Sequence, residues 1–395
     1  MPNLLRTKVA DTPLATTRPA GRAAGPAAGR PRQRPGQPWK AFTLLVVAYL
    51  FPEGAERNKA LGLSGGVGAL GGTVGLLVGG ILTTYVGWRY IFFFNVPIGA
   101  AALALAPRFV PESRGRSGPR RYDISGAVSI TAALLAGVYA ISQAPQVGWA
   151  APQTVALLAA GAALLALFLV IETKVEAPLL PLRLFRLPGV AGSNAVGILL
   201  GTSFLTFVFV GTLYMQQVLG FSALATGAAW MTASVTSLAI ACSGLSQRIV
   251  TRTSPQPVMA FGMALIGAAI PWAAQAPAHG NFWPDLAGPF FTGGVGTAFA
   301  FIPVSIGALA GVTERDAGVA SGLLNTAQNL GGAIGVAVAS SIAAAHSRAL
   351  LHDGYTTAAA LTGGFHWALW VCGLAALVAI PVAFTRIRPR GLGWR

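Results

Sequence analysis

Ten stretches of this chain run for about twenty residues with no charged side chain except at their ends. They fall at about 60–85, 89–107, 123–142, 153–172, 190–213, 222–246, 257–276, 285–311, 317–343 and 364–385. An α-helix rises 1.5 Å per residue, so roughly 20 apolar residues cross the ~30 Å hydrocarbon core of a bilayer. Inside that core every backbone N–H and C=O needs a partner, and a helix supplies one from its own segment. The expected fold class is an all-α polytopic membrane protein. Composition agrees where it matters: only 10% of the residues are charged, against about 25% in soluble domains.

One segment is short. "AFTLLVVAYLF", residues 41–51, holds 11 residues before Pro52. As a helix it covers ~17 Å, about half of the core. The expectation is therefore about ten full transmembrane helices plus one partial. Residues 1–40 are rich in Arg, Pro, Ala and Gly and show no periodicity. Two readings stand for them: a disordered basic tail drawn to anionic lipid, or GC-rich DNA read in the wrong frame.

The net charge of +16 raises the question of nucleic acid. A nucleic-acid footprint clusters on one face, whereas these cations are spread over short loops and a tail, so no nucleic-acid partner is expected. Alternate loops carry them. One side holds Arg57 and Lys59, then Arg108 to Arg121, Lys174, Arg183 and Arg186, Arg248 and Arg252, Arg315, and the tail from Arg386 to Arg395. The opposite loops hold only Arg89 and Arg348. The positive-inside rule places the cation-rich side and the C-terminus in the cytoplasm. Trp88, Trp149, Trp272, Trp283 and Trp367 then fall near the outer helix ends, as an aromatic belt would. Cys242 and Cys372 lie inside apolar segments and read as small buried residues rather than a disulfide.

The chain repeats itself weakly. Residues 60–81, "ALGLSGGVGALGGTVGLLVGGI", and residues 320–341, "ASGLLNTAQNLGGAIGVAVASS", share eight of 22 positions, including an L-G-G-x-x-G. Secondary transporters are commonly built from such repeats. Glycine costs a helix ~1 kcal/mol against alanine, so its abundance needs a reason. Lipid gives no hydrophobic drive for helix association, and small residues let backbones approach closely. Gly71, Gly75 and Gly79, beside Gly80, recur every four residues and form a stripe; Gly331, Gly332 and Gly335 are the counterparts. Both sets are candidate helix interfaces, either static or moving.

These motifs carry a resemblance. "VGLLVGGILTTYVGWRYIFFFNVPIG" (74–99) resembles the fifth and sixth helices of the major facilitator superfamily, and is most similar to its fourteen-helix branch of drug:proton antiporters. "TLYMQQVLGFSALATG" (212–227) and "ASGLLNTAQNLGGAIG" (320–335) carry the same likeness. The branch's antiporter motif G-x-x-x-G-P-x-x-G-G maps onto Gly71, Gly75, Leu76, Gly79 and Gly80, with Leu76 in place of proline. The resemblance covers about 41–385 and implies a major-facilitator-type helix bundle lacking the branch's first three to four helices. The implied domains are a basic tail (1–40), the remainder of an N-terminal transporter half (41–107), a linker with two inserted helices (108–187), a six-helix C-terminal half (188–385) and a cytoplasmic tail (386–395). The implied function is secondary active, proton-coupled efflux of hydrophobic or cationic drugs by alternating access. The implied setting is the bacterial inner membrane. A truncated non-transporting remnant, or an accessory subunit that needs a separate first half, stands as the alternative. The implied partners are a small-molecule substrate, protons and the lipid bilayer. The sequence leaves the oligomeric state open.

Few residues inside the spans carry chemistry. Asp123, Glu172 and Asp285 stand at segment ends, and Asp123 reads as a helix N-cap. Ser321, Asn325, Gln328 and Asn329 share one helical face and, with Asn194, are the candidate substrate path. Thr202 and Ser203 are weaker candidates. Phe92, Phe93, Phe94, Phe204, Phe207 and Phe209 offer apolar surface. No P-loop, G-x-S-x-G or H-E-x-x-H motif is present, and the four histidines lack metal-ligand spacing. No enzyme, cofactor or metal is expected.

Overall fold

The computed structural model describes residues 71–72, 74–109, 123–175, 178–313 and 316–386. The partial helix expected at 41–51, the tail expected at 1–40 and residues 387–395 lie outside the described residues. Among the described residues every regular element is helical. Two shorter apolar helices come first, α1 (Val74–Tyr85) and α2 (Arg89–Phe109). A hairpin follows, α3 (Ile124–Val147) and α4 (Pro152–Lys174). A 3-10 turn (Leu182–Arg186) leads into α5 (Pro188–Leu213), which a π-turn extends to Val218. Next are α6 (Ala223–Ser243), the short α7 (Leu245–Arg252) and α8 (Pro255–Ala273). A π-turn from Phe282 opens α9 (Ala287–Ala308), and α10 (Ala317–His352) and α11 (Thr357–Arg386) complete the series. Eight of these, α3 to α6 and α8 to α11, are long and apolar enough to cross a membrane.

Local chemistry sets the helix ends. Asp123 caps α3, its Oδ1 accepting from the Gly126 N–H at 2.7 Å. Gly148, at φ 106°, ends the same helix, and Pro152 starts α4 with a ring already set at helical φ. The single span expected at 222–246 breaks at Gly244, whose φ of 68° is left-handed and closes α6. Arg248 and Arg252, expected in a loop, therefore lie on α7. Helix α10 runs 36 residues, well past the expected 343. No proline or glycine follows Gly335 until Gly354, at φ 85°, so nothing stops it sooner. Arg348, also expected in a loop, sits on α10 and donates to the Ala344 carbonyl at 3.1 Å.

Packing places α5 among α9, α10 and α11, with α8 and α6 closing the far side. Helices approach where a Cβ would not fit. At Gly262 on α8, a methyl group would strike the Phe299 and Ala300 backbone of α9. Between α5, α6 and α9, aromatic rings fill the gap. Trp230 stacks on Phe290 with centroids 4.3 Å apart, and Phe207 meets both edge-on. The Trp230 indole N–H donates to Thr212 at 3.0 Å, so the one polar atom of that ring is satisfied. Cys372 is buried as expected, whereas Cys242 is exposed, near the end of α6. An apolar setting in sequence does not separate a core face from one that meets lipid.

Candidate functional site

The expected substrate path divides between two helices. On α10, Ser321, Asn325 and Asn329 recur every four residues and so share a face. Ser321 back-bonds to the Ala317 carbonyl at 2.8 Å. The Asn329 amide donates to both the carbonyl and the side-chain oxygen of Asn325, at 2.8 and 2.7 Å. Both asparagines are exposed, and Gln328 is half-buried on the edge of the same face. Asn194, on α5, is buried apart from them. Its Nδ2 donates to the Val190 carbonyl at 2.8 Å, and its Oδ1 has no hydrogen-bond partner among the described residues.

Followed toward the C-terminus of α10, the polar face opens into a groove. Gly332, Ala333, Val336 and Ser340 continue the same three- and four-residue spacing and line it. The groove holds about 670 Å³ between α3, α5 and α10, within the ~300–1,000 Å³ of ordinary ligand sites. Its second wall is α5, through Leu205, Val208, Phe209 and Thr212. Its third is the end of α3, where Ser142 and Gln146 lie one turn apart. Trp149 fixes that third wall, its indole N–H donating to Ser341 Oγ of α10 at 3.0 Å. Among the described residues, no ionised side chain lines the groove. Of the six expected phenylalanines only Phe209 lines it; Phe207 is in the aromatic core, Phe204 packs on Phe301, and Phe92, Phe93 and Phe94 are exposed on α2.

The glycines fall into two settings. A Cβ on Gly331 would overlap the Ile198 carbonyl, and one on Gly335 would overlap Thr206 Oγ1. Gly201 of α5 meets the Gln328 carbonyl in the same way, and Gly332 meets Leu205. These residues seat α5 against α10 at backbone distance, and the Thr202 hydroxyl bonds across to the Gly331 carbonyl at 2.9 Å. Among the described residues, a Cβ at Gly71, or at Gly75 or Gly79 of α1, would meet nothing within 4 Å. Among the described residues, α1 makes contact through its neighbouring face, where Gly80 approaches the backbone of Ala223 and Leu224, and the Leu76 carbonyl approaches Gly227 of α6.

A second polar feature lies at the opposite end of α10. Asp316, buried just before the helix, takes both contacts from one Arg183 nitrogen, at 2.9 and 3.1 Å, and accepts from Thr313 at 3.0 Å. Arg183 belongs to the 3-10 turn after α4, so the pair ties that linker to α10. Glu172 braces the same linker by accepting from the Leu180 N–H at 3.2 Å. Sequence reading singled out neither the α3 wall nor this ion pair. Ser142 and Gln146 at i and i+4 in an otherwise apolar helix were the available signal.

Fold and groove together define a polytopic helical membrane protein with a ligand-sized recess between its helices. Residues 41–336 match the family model of the Major Facilitator Superfamily, and the chain belongs to that family. It is 34% identical over 300 residues to the cephamycin export protein CmcT of Amycolatopsis lactamdurans, covering 75% of this chain and 61% of that one. It is 32% identical over 336 residues to the puromycin resistance protein pur8 of Streptomyces alboniger, covering 81% and 64%. With the multidrug resistance protein Stp of Mycobacterium tuberculosis it shares 31% over 321 residues, covering 78% and 57%. The chain thus spans less than two thirds of the length of these relatives.

Proposed function

We propose that this chain acts in secondary active efflux of hydrophobic or cationic compounds, by alternating access, across a bacterial inner membrane. The observation that carries the reading is the continuous face of α10. It leads from Ser321, Asn325 and Asn329 into the groove without meeting a charge. Transporter sites lie between helices of facing repeats, and helices α5 to α11 supply the C-terminal half of such a site. Two of the relatives named above are called resistance proteins and one an export protein, which supports efflux as the direction. The cation-rich loops and the C-terminus then face the cytoplasm. Proton exchange follows from the resemblance to drug:proton antiporters. Among the described residues, Asp123, Glu172 and Asp316 are buried carboxylates at helix ends, the first two engaged with backbone N–H groups and the third with Arg183 and Thr313.

Whole-cell dye efflux tests this reading. Cells expressing the chain should retain less dye than vector controls, and a protonophore should erase the difference. Asn329→Leu should cut the efflux rate several-fold at equal membrane abundance. Equal dye retention with and without the chain overturns the reading, and efflux that survives the protonophore removes proton coupling from it. Gly75→Leu separates a moving α1 surface from a passive one: lost efflux supports motion, and unchanged efflux ends that idea.

A further inference from the structure

We infer that the inserted helix α3 is a wall of the substrate site, and that the groove it closes selects uncharged, hydrogen-bonding compounds over cations. The inference rests on the transport reading and narrows its substrate class. Helix α3 belongs to the inserted pair, outside the six-helix half that follows. Yet two of its polar side chains, Ser142 and Gln146, face the groove from one side while Ser340 faces it from α10. None of the three hydrogen-bonds to another described residue, so their donors and acceptors are available to a ligand. Thr212 accepts from Trp230, which leaves its own O–H to donate. The Trp149–Ser341 bond joins residues 192 apart in sequence and keeps α3 at groove width from α10.

The charge argument is chemical. A cation leaving water for a recess between helices needs a carboxylate or an aromatic cage to offset its lost hydration. Among the described residues, the lining holds no carboxylate and one aromatic ring, Phe209. Hydroxyl and amide groups suit a neutral molecule with a few polar atoms, and the apolar remainder suits its body.

Equilibrium binding to the full chain in nanodiscs, with Nile red as the neutral probe and ethidium as the cation, tests this. Wild type should bind Nile red at least about tenfold more tightly than ethidium. Ser142→Trp, which fills the groove from the α3 side, should weaken Nile red about tenfold. Gln146→Glu places a carboxylate in the lining and should raise ethidium affinity while lowering that of Nile red. Ser340→Leu removes the polar group of the opposite wall and provides a check should Ser142→Trp fail to fold. Binding of ethidium as tight as Nile red in wild type, binding of neither, or Nile red affinity unmoved by both groove variants overturns the inference. Efflux of either dye from cells is read separately. Efflux with groove-insensitive binding sinks this inference alone, whereas absence of efflux sinks the transport reading.

Discussion

Identical residues behave differently according to what stands opposite them. Gly331 and Gly75 both read from sequence as small residues on a helix interface. A methyl group on Gly331 would enter the Ile198 carbonyl, while one on Gly75 would meet no described residue within 4 Å. Gly331→Ala should therefore cost about 1–3 kcal/mol through forced separation of α5 and α10. Gly75→Ala should be neutral or gain up to ~1 kcal/mol of helix propensity. Thermal stability of the two purified variants checks the contrast, and equal losses would refute it. Asp123 shows what was legible. A short acid immediately before an apolar run is a cap signal, and the structure places its carboxylate on the Gly126 N–H. Asp123→Ala should loosen the start of α3 by ~1 kcal/mol, seen as faster amide exchange at Gly126 and Ala127. The facing partner of each glycine was not legible, because periodicity assigns a face without naming what covers it.

At the scale of the element, hydropathy located the helices and misplaced their ends. The reason is that spanning length and helix length are set by different things. Lipid sets the first, whereas breakers set the second. Gly244 divides what reads as one apolar run, and the lack of a breaker after Gly335 carries α10 to 36 residues. The docking of the α3–α4 hairpin was hidden for another reason. Its hydrogen bond to α10 joins Trp149 to Ser341, residues 192 apart, and a tryptophan near a helix end reads equally well as a belt residue. The two roles predict different outcomes for Trp149→Phe. A belt residue tolerates the change, since an aromatic ring remains at the interface. A clamp does not, since the indole N–H is lost, and the hairpin should release from α10 at a cost of about 1 kcal/mol. A disulfide trap between Gln146→Cys and Ser340→Cys, whose residues line facing walls of the groove, should form less readily in the Trp149→Phe background. Equal trapping in both backgrounds would assign Trp149 to the belt.

For the molecule as a whole, the question is how the α3–α4 hairpin is held to the bundle it precedes. The groove-side bond of Trp149 fixes one end of the hairpin, and the linker fixes the other. At the linker the contact is ionic: Arg183, 65% exposed at its side chain, reaches Asp316, 9% exposed, at 2.9 Å. The pair is asymmetric, and so are the expected effects of breaking it. Asp316→Asn leaves an arginine already in water, which loses little. Arg183→Ala leaves a buried carboxylate with Thr313 as its remaining side-chain donor among the described residues, and an under-satisfied buried acceptor costs about 1–3 kcal/mol. Arg183→Ala should therefore destabilise the protein more than Asp316→Asn does, the reverse of what exposure at the mutated position alone would give. Because the arginine is reached by solvent, salt should weaken the wild-type contact and leave Arg183→Ala unaffected. Thermal unfolding of the wild type and both variants, at low and high salt, decides it. Equal losses for the two variants, or a salt response that persists without Arg183, would mean that the linker is held by packing and the Glu172–Leu180 bond, and that the ion pair is incidental to how the hairpin and bundle stay together.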